Sequence, residues 1–122
     1  MRIFKTKSFT AFANKKGIDD SLLIEAVERA ERGLIDADLG GNVIKQRIAK
    51  QGQGRSSGYR ALIFYKIGQK YFFASIFEKN NRENITKEEL SELKKLAKIY
   101  LHYSDETLAH YIKQQAIIEI FV

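Results

Sequence analysis

The stretch "YRALIFYKIGQKYFFASIFEK", residues 59–79, decides the fold of this chain. Alternation sets Arg60, Leu62, Phe64 and Lys66 on one side of an extended segment, with Tyr59, Ala61, Ile63 and Tyr65 on the other. "IGQK" (67–70) supplies a Gly-X turn, and "YFFASIFEK" returns as a second strand, so the stretch predicts a β-hairpin. Upstream, "NVIKQRIA" (42–49) alternates too, with Val43, Lys45 and Arg47 opposite Ile44, Gln46 and Ile48. Three successive antiparallel strands form a meander whose apolar face must be covered.

Segments of helical period supply the cover. "RIFK" (2–5) reads as a short edge strand. "KSFTAFANKKG" (7–17) then places Phe9, Phe12 and Ala13 on one helical face and stops at Lys-Lys-Gly. Asp19 or Asp20 caps a second helix with Leu23, Ala26, Val27 and Ala30 along its stripe, and Gly33 closes it in a left-handed conformation. "IDADLGG" (35–41) reads as a turn. Beyond the hairpin, Thr86 and Glu89 make a capping box for a third helix whose stripe is Leu90, Leu93, Ala97, Tyr100 and Leu101. Ser104 and Asp105 open a fourth helix carrying Leu108, Tyr111 and Ile112, and "AIIEIFV" (116–122) has the character of a strand that pairs with a sheet edge. The expected class is α+β: a short strand, two helices, an antiparallel β-meander, then carboxyl-terminal helices packed on the sheet. With 122 residues and no linker or repeat, one domain over 1–122 is expected, with 104–122 as its carboxyl-terminal helix and tail.

A composition of 44% hydrophobic and 30% charged residues is globular, and no apolar run approaches the length of a bilayer span. The amino end lacks the apolar core of a signal peptide, so a cytoplasmic protein with no membrane partner is expected. With no cysteine, disulfides and thiolate metal sites are excluded.

Charge is unevenly spread. From Leu39 to Phe77 there is no Asp or Glu, whereas Lys45, Arg47, Lys50, Arg55, Arg60, Lys66 and Lys70 all fall there. A block of this kind repels itself, a cost that a polyanion would offset, and nucleic acid is the leading candidate. The other reading is a solvated surface that keeps the protein soluble. Within the block, "QGQGRSSGYR" (51–60) brings glycine amides, Gly54 among them, next to Arg55 and Arg60. It lacks the Gly-Lys-Ser/Thr ending of a P-loop and the strand-to-helix setting of a dinucleotide fingerprint. With Lys45 and Arg47 on the neighbouring strand it points to contact with a phosphate backbone, to which Lys50 and Lys66 add charge. Tyr59, Tyr65 and Tyr71 can either stack on unpaired bases or bury their rings in the core.

Familiar catalytic sets are missing. His102 and His110, the only histidines, read as surface or boundary residues, and Glu78 is the acid nearest the basic strip. Chemistry on nucleic acid would then work by charge: RNA attacks itself through its 2′-hydroxyl while cations stabilise the pentavalent phosphorus. That route requires no metal and no cofactor.

"RSSGYR" (55–60), followed by an apolar strand, a hairpin and a strand ending in "EKNNRENI" (78–85), resembles the RelE branch of the RelE/ParE toxin superfamily, in its RelE-like or HigB-like form. The likeness extends over essentially the whole chain, from "MRIFKTKSF" to "IIEI". It implies the fold outlined above, a toxin paired with a cognate antitoxin in a type II system, a toxin–antitoxin hetero-oligomer, and cleavage of mRNA on the ribosome. It implies Arg60 as the arginine at the scissile region, Arg55 as a flanking arginine, and Lys79 and Arg82 as basic positions after the last strand. The chain departs from RelE at Gln51 and Gln53, where RelE has lysines, at Asn80 in place of an arginine, and at Thr86 in place of a tyrosine used in catalysis. Three functions therefore compete: a ribosome-dependent endoribonuclease, a non-catalytic module binding RNA or antitoxin, and a ParE-like gyrase inhibitor.

Overall fold

The computed structural model describes residues 1–50, 58–79 and 84–122. The meander is present as expected: β3 (Val43–Ile48), β4 (Tyr59–Tyr65) and β5 (Lys70–Glu78) pair antiparallel in sequence order. They form the centre of a six-stranded sheet with β1 (Arg2–Thr6), β2 (Ala37–Asp38) and β6 (Ile117–Ile120), in the order β2-β3-β4-β5-β1-β6.

Two assignments change. β1 is an interior strand, parallel to β5 through Phe4↔Phe72 and antiparallel to β6 through Ile3↔Ile120. The reason lies in Ile3 and Phe4, which point to opposite faces and are both fully buried; a strand apolar on both sides belongs between neighbours. The predicted turn at 35–41 contains the two-residue β2, which pairs with β3 through Ala37↔Lys45 and Asp38↔Ile44.

The helices start and stop where the sequence signals lie. In α1 (Lys7–Lys16) the Thr6 hydroxyl accepts from the Phe9 amide, and Gly17 ends the helix at φ +68°. Asp19 takes the N-cap position of α2 (Asp20–Glu31), although its side chain makes no capping bond. At the other end Gly33, at φ +80°, donates to the Ala30 carbonyl and the Leu34 amide to that of Arg29. These two bonds help to satisfy the last carbonyls of the helix. Thr86 and Glu89 form the expected reciprocal capping box of α3 (Lys87–Leu101), and Ser104 caps α4 (Asp105–Lys113).

Both faces of the sheet are covered. α1 and α2 pack over Ile3, Ile44, Ile48, Ala61, Ile63 and Phe73, while α3 and α4 pack over Phe4, Val43, Phe64 and Phe72. Phe4 and Phe72 stack with ring centroids 4.7 Å apart across the parallel pair. Among the described residues no helix is long and apolar enough to cross a membrane.

One polar side chain is sealed into this core. Gln46, with no exposed surface, accepts from the Asp36 amide at 2.7 Å and donates to the carbonyls of Ala26 and Leu34 at 3.0 and 3.2 Å. It ties the middle of α2, and the chain leading into β2, to the centre of β3. Gln46→Leu leaves those groups without their partner, so urea unfolding is expected to show a loss of about 1–3 kcal/mol. An unchanged midpoint would mean that the three bonds contribute nothing net.

Candidate nucleic-acid interface

α3 and α4 cover only part of their face of the sheet. Along β3 and β4 the residues on that face run Val43, Lys45, Arg47 and Phe64, Leu62, Arg60, paired as Val43↔Phe64, Lys45↔Leu62 and Arg47↔Arg60. The first pair lies in the apolar cluster beneath α3. The last is charged, and there a cleft of about 400 Å³ opens, lined by Asp36, Ala37, Lys45, Arg47, Arg60 and Lys79. Four residues singled out from the sequence therefore converge in one cleft.

Arg47 and Arg60 are direct cross-strand partners, and backbone bonding brings them close. The Tyr65 amide donates to the Asn42 carbonyl at the first β3–β4 rung, and the Lys79 amide to that of Gly58 on the β5 side. Alternation from these rungs makes Arg47↔Arg60 a non-hydrogen-bonded pair, the type in which facing side chains lie nearest. Like charges in that relation are destabilising by themselves. Arg60 is also 7% exposed, and its guanidinium donates to the Tyr59 carbonyl at 3.4 Å. Burial, and then Arg47, push its pKa below the usual arginine value, while Asp36 opposes them; an arginine nonetheless stays charged. Lys45 Nζ reaches Asn84 Oδ1 at 3.4 Å, and Lys79 is exposed.

Gly58 explains why this end of the hairpin begins as it does. A Cβ there would stand 2.1 Å from the Ile48 carbonyl oxygen and 2.9 Å from the Lys50 amide nitrogen. Only glycine lets β4 approach β3 closely two residues before Arg60.

The other residues proposed from the sequence lie elsewhere. Tyr59 is buried on the opposite face, edge-on to Phe12, with Lys50 over its ring. Lys50 also pairs with Glu78 at 3.3 Å, and Lys16 approaches the same carboxylate at 3.7 Å. Lys66 follows the far end of β4, about 20 Å from Arg60 at the usual rise per strand residue. There it pairs with Glu31 at 2.9 Å. That carboxyl is held below its ordinary pKa first by the Tyr71 hydroxyl and then by Lys66. Of the three tyrosines, Tyr59 and Tyr71 serve the core and Tyr65 is half-buried. Arg55, Gly54 and Arg82, with the departures Gln51, Gln53 and Asn80, lie outside the described residues. Thr86 is the N-cap of α3. His102 and His110 are exposed, as expected, and His102 bonds the Lys98 carbonyl at 2.7 Å.

Asp36 and Arg29 are not singled out by the sequence pattern. Asp36 lies just upstream of the acid-free segment yet lines the cleft, and its carboxylate accepts from the Arg47 amide at 2.7 Å and from Arg29 at 3.2 Å. Arg29 is legible only as a cation three residues after Ala26, along the apolar stripe of α2.

A six-stranded sheet between two pairs of helices, with a polycationic cleft where the meander emerges from under α3, defines a RelE-like α+β protein. The family described as "RelE toxin of RelE / RelB toxin-antitoxin system" matches residues 1–120, and the chain belongs to it. It is thus a toxin of a toxin–antitoxin system, and membership implies an antitoxin partner. None of the curated proteins matches the chain.

Two outcomes follow from the geometry. Gly58→Ala forces the β3–β4 junction apart, with an expected loss of about 1–3 kcal/mol in denaturant unfolding. Arg47→Thr removes one of two facing cations and is expected to raise stability by about 0.2–1 kcal/mol at low salt. That gain should shrink as salt screens the pair, which thermal melts at two ionic strengths will read.

Proposed function

We propose that this toxin is a ribosome-dependent mRNA endoribonuclease that works through basic residues and 2′-hydroxyl attack. The observation that carries the reading is the convergence of Lys45, Arg47, Arg60 and Lys79 on one cleft, with Arg47 and Arg60 directly opposed. Such a pair costs stability in the free protein, and a phosphate between the two guanidiniums turns that repulsion into two charge-assisted contacts.

The reaction needs little from the protein beyond alignment and charge. The 2′-oxygen gives up its proton to water and bonds to phosphorus as the P–O5′ bond breaks. The fragments carry a 2′,3′-cyclic phosphate and, once the leaving oxygen takes a proton, a 5′-hydroxyl. Arg60, held by burial at the floor of the cleft, is assigned to the equatorial oxygens, where negative charge builds in the transition state. Arg47 and Lys45 grip the flanking backbone, and Lys79 at the mouth is the cation that can protonate the leaving oxygen. Arg55 and Arg82 remain candidates for the same work on the strength of the family motif. Lys50, Lys66 and Tyr59, drawn into other contacts, are not assigned to the cleft. On this reading the partners are mRNA on the ribosome and the antitoxin, and the protein acts in the cytoplasm.

One observation favours a second reading. Thr86, where RelE has a catalytic tyrosine, is occupied in the α3 capping box and brings no phenol to the site. A non-catalytic module that binds RNA or antitoxin through the same cations would need none.

Primer extension on mRNA, with and without translating ribosomes, separates these readings. Cuts that require the ribosome are expected, and Arg60→Ala should reduce them about 100- to 1,000-fold, as loss of one transition-state donor does. RNA retention without any cut would establish the binding module. Neither cutting nor retention would turn attention to gyrase, read by a supercoiling assay.

A further inference from the structure

β3 has an unusual outer edge. β2 pairs with it only at Ile44 and Lys45, so among the described residues Arg47 lies beyond the last strand partner on that side. Because Arg47 faces Arg60 in a non-hydrogen-bonded pair, its amide and carbonyl point outward, toward that missing strand. Both groups are nonetheless taken. Asp36 Oδ2 accepts from the Arg47 amide at 2.7 Å, and Arg29 Nη2 donates to the Arg47 carbonyl at 2.5 Å. The two side chains are joined to each other through Arg29 Nη1 and Asp36 Oδ2 at 3.2 Å. Arg29 is itself 6% exposed and bonded to Glu25, so it is fixed from the side of α2.

We propose that Arg29 and Asp36 are positioning residues: a carboxylate–guanidinium clamp that replaces the absent edge strand and fixes Arg47 opposite Arg60. The clamp connects α2, on the far side of the sheet, to the cleft by one acceptor and one donor in the places a strand's carbonyl and amide would occupy. It also gives the lone carboxylate among the cleft's described lining residues a task. Asp36 is engaged by Arg29 and the Arg47 backbone, which makes it a support for the cationic site. The functional half of this inference rests on the reading of the cleft as a phosphate site; the structural half does not.

The test uses the full chain and two readouts. Hydrogen exchange of the Arg47 amide in Asp36→Ala is expected to quicken about tenfold, while the Ile44 and Ile63 amides, bonded within the β3–β4 ladder, keep their wild-type protection. Unchanged protection at Arg47, or equal loss at all three amides, would overturn the clamp. The second readout is the affinity of a short single-stranded RNA for wild type, Asp36→Ala, Arg47→Ala and the double variant. Asp36→Ala is expected to flatten the salt slope by about 0.7, the share of one phosphate contact on a single strand. It should cause no further loss in the Arg47→Ala background, since its support acts through that residue. Additive losses would overturn the positioning role. Arg29→Met, which removes the other arm and Asp36's own anchor, carries the RNA readout and its criteria if Asp36→Ala does not fold. Failure of wild type to bind RNA would overturn the phosphate reading and with it the functional half, while Arg47 exchange still decides the structural half.

Discussion

The register between β3 and β4 is the constraint on which the rest of the structure depends. Residues on the two strands alternate between a face closed by α1 and α2 and a face that emerges from under α3. A slip of one residue would drive Arg47 or Arg60 beneath α1 and α2 and turn Ile48 or Tyr59 out into the cleft. Three features hold the register. Gly58 lets the strands close where any Cβ would strike the Ile48 carbonyl. Gln46 anchors the middle of β3 through three hydrogen bonds, one to α2 and two to the chain between α2 and β2. The apolar pairs Val43↔Phe64 and Ile44↔Ile63 fill the two opposite cores.

Much of this fold is legible in the amino-acid sequence, because the signals are local. Period-two alternation in "VIKQRI" and "YRALIFY", the Thr86–Glu89 box and the Gly17 and Gly33 stops each depend on residues a few positions apart, and each has its expected counterpart. What escapes such a reading depends on contacts distant in sequence. The place of β1 is decided by its parallel partner β5, about seventy residues away, and nothing in "RIFK" alone separates an edge from a centre. The β2 pairing escapes because two residues cannot display a period.

The candidate site divides in the same way. Lys45, Arg47 and Arg60 belong together because one strand face carries the first two and the facing strand the third. Lys79 joins them by following the hairpin's second strand on the same side. Lys50, Lys66 and Tyr59 are near these residues in sequence, but a strand places neighbours on opposite faces and its two ends far apart. Lys66 thus meets Glu31, and Lys50 meets Glu78. Asp36 and Arg29 enter through the fold, since a linear count of charge ignores an acid brought in from before β2 and a cation brought in from α2.

The electrostatics of the cleft bear on how one small protein can be both active and restrained. Facing arginines, one of them buried, hold repulsion that the fold tolerates because α3, α4 and the apolar pairs stabilise the rest of the face. Any partner that brings negative charge between them gains from relieving it. On the proposed reading RNA does so with phosphates, and an antitoxin segment bearing Asp or Glu would satisfy the same demand with carboxylates. The two would then be exclusive for a simple reason: a pair of guanidiniums neutralised by one anion has little left to offer a second. Inhibition in that case requires no conformational change in the toxin, since occupation of the charge that performs the chemistry is sufficient. Long-range attraction to the cations of the acid-free segment between Leu39 and Phe77, less Lys50 and Lys66, which pair with Glu78 and Glu31, would speed the encounter with either partner.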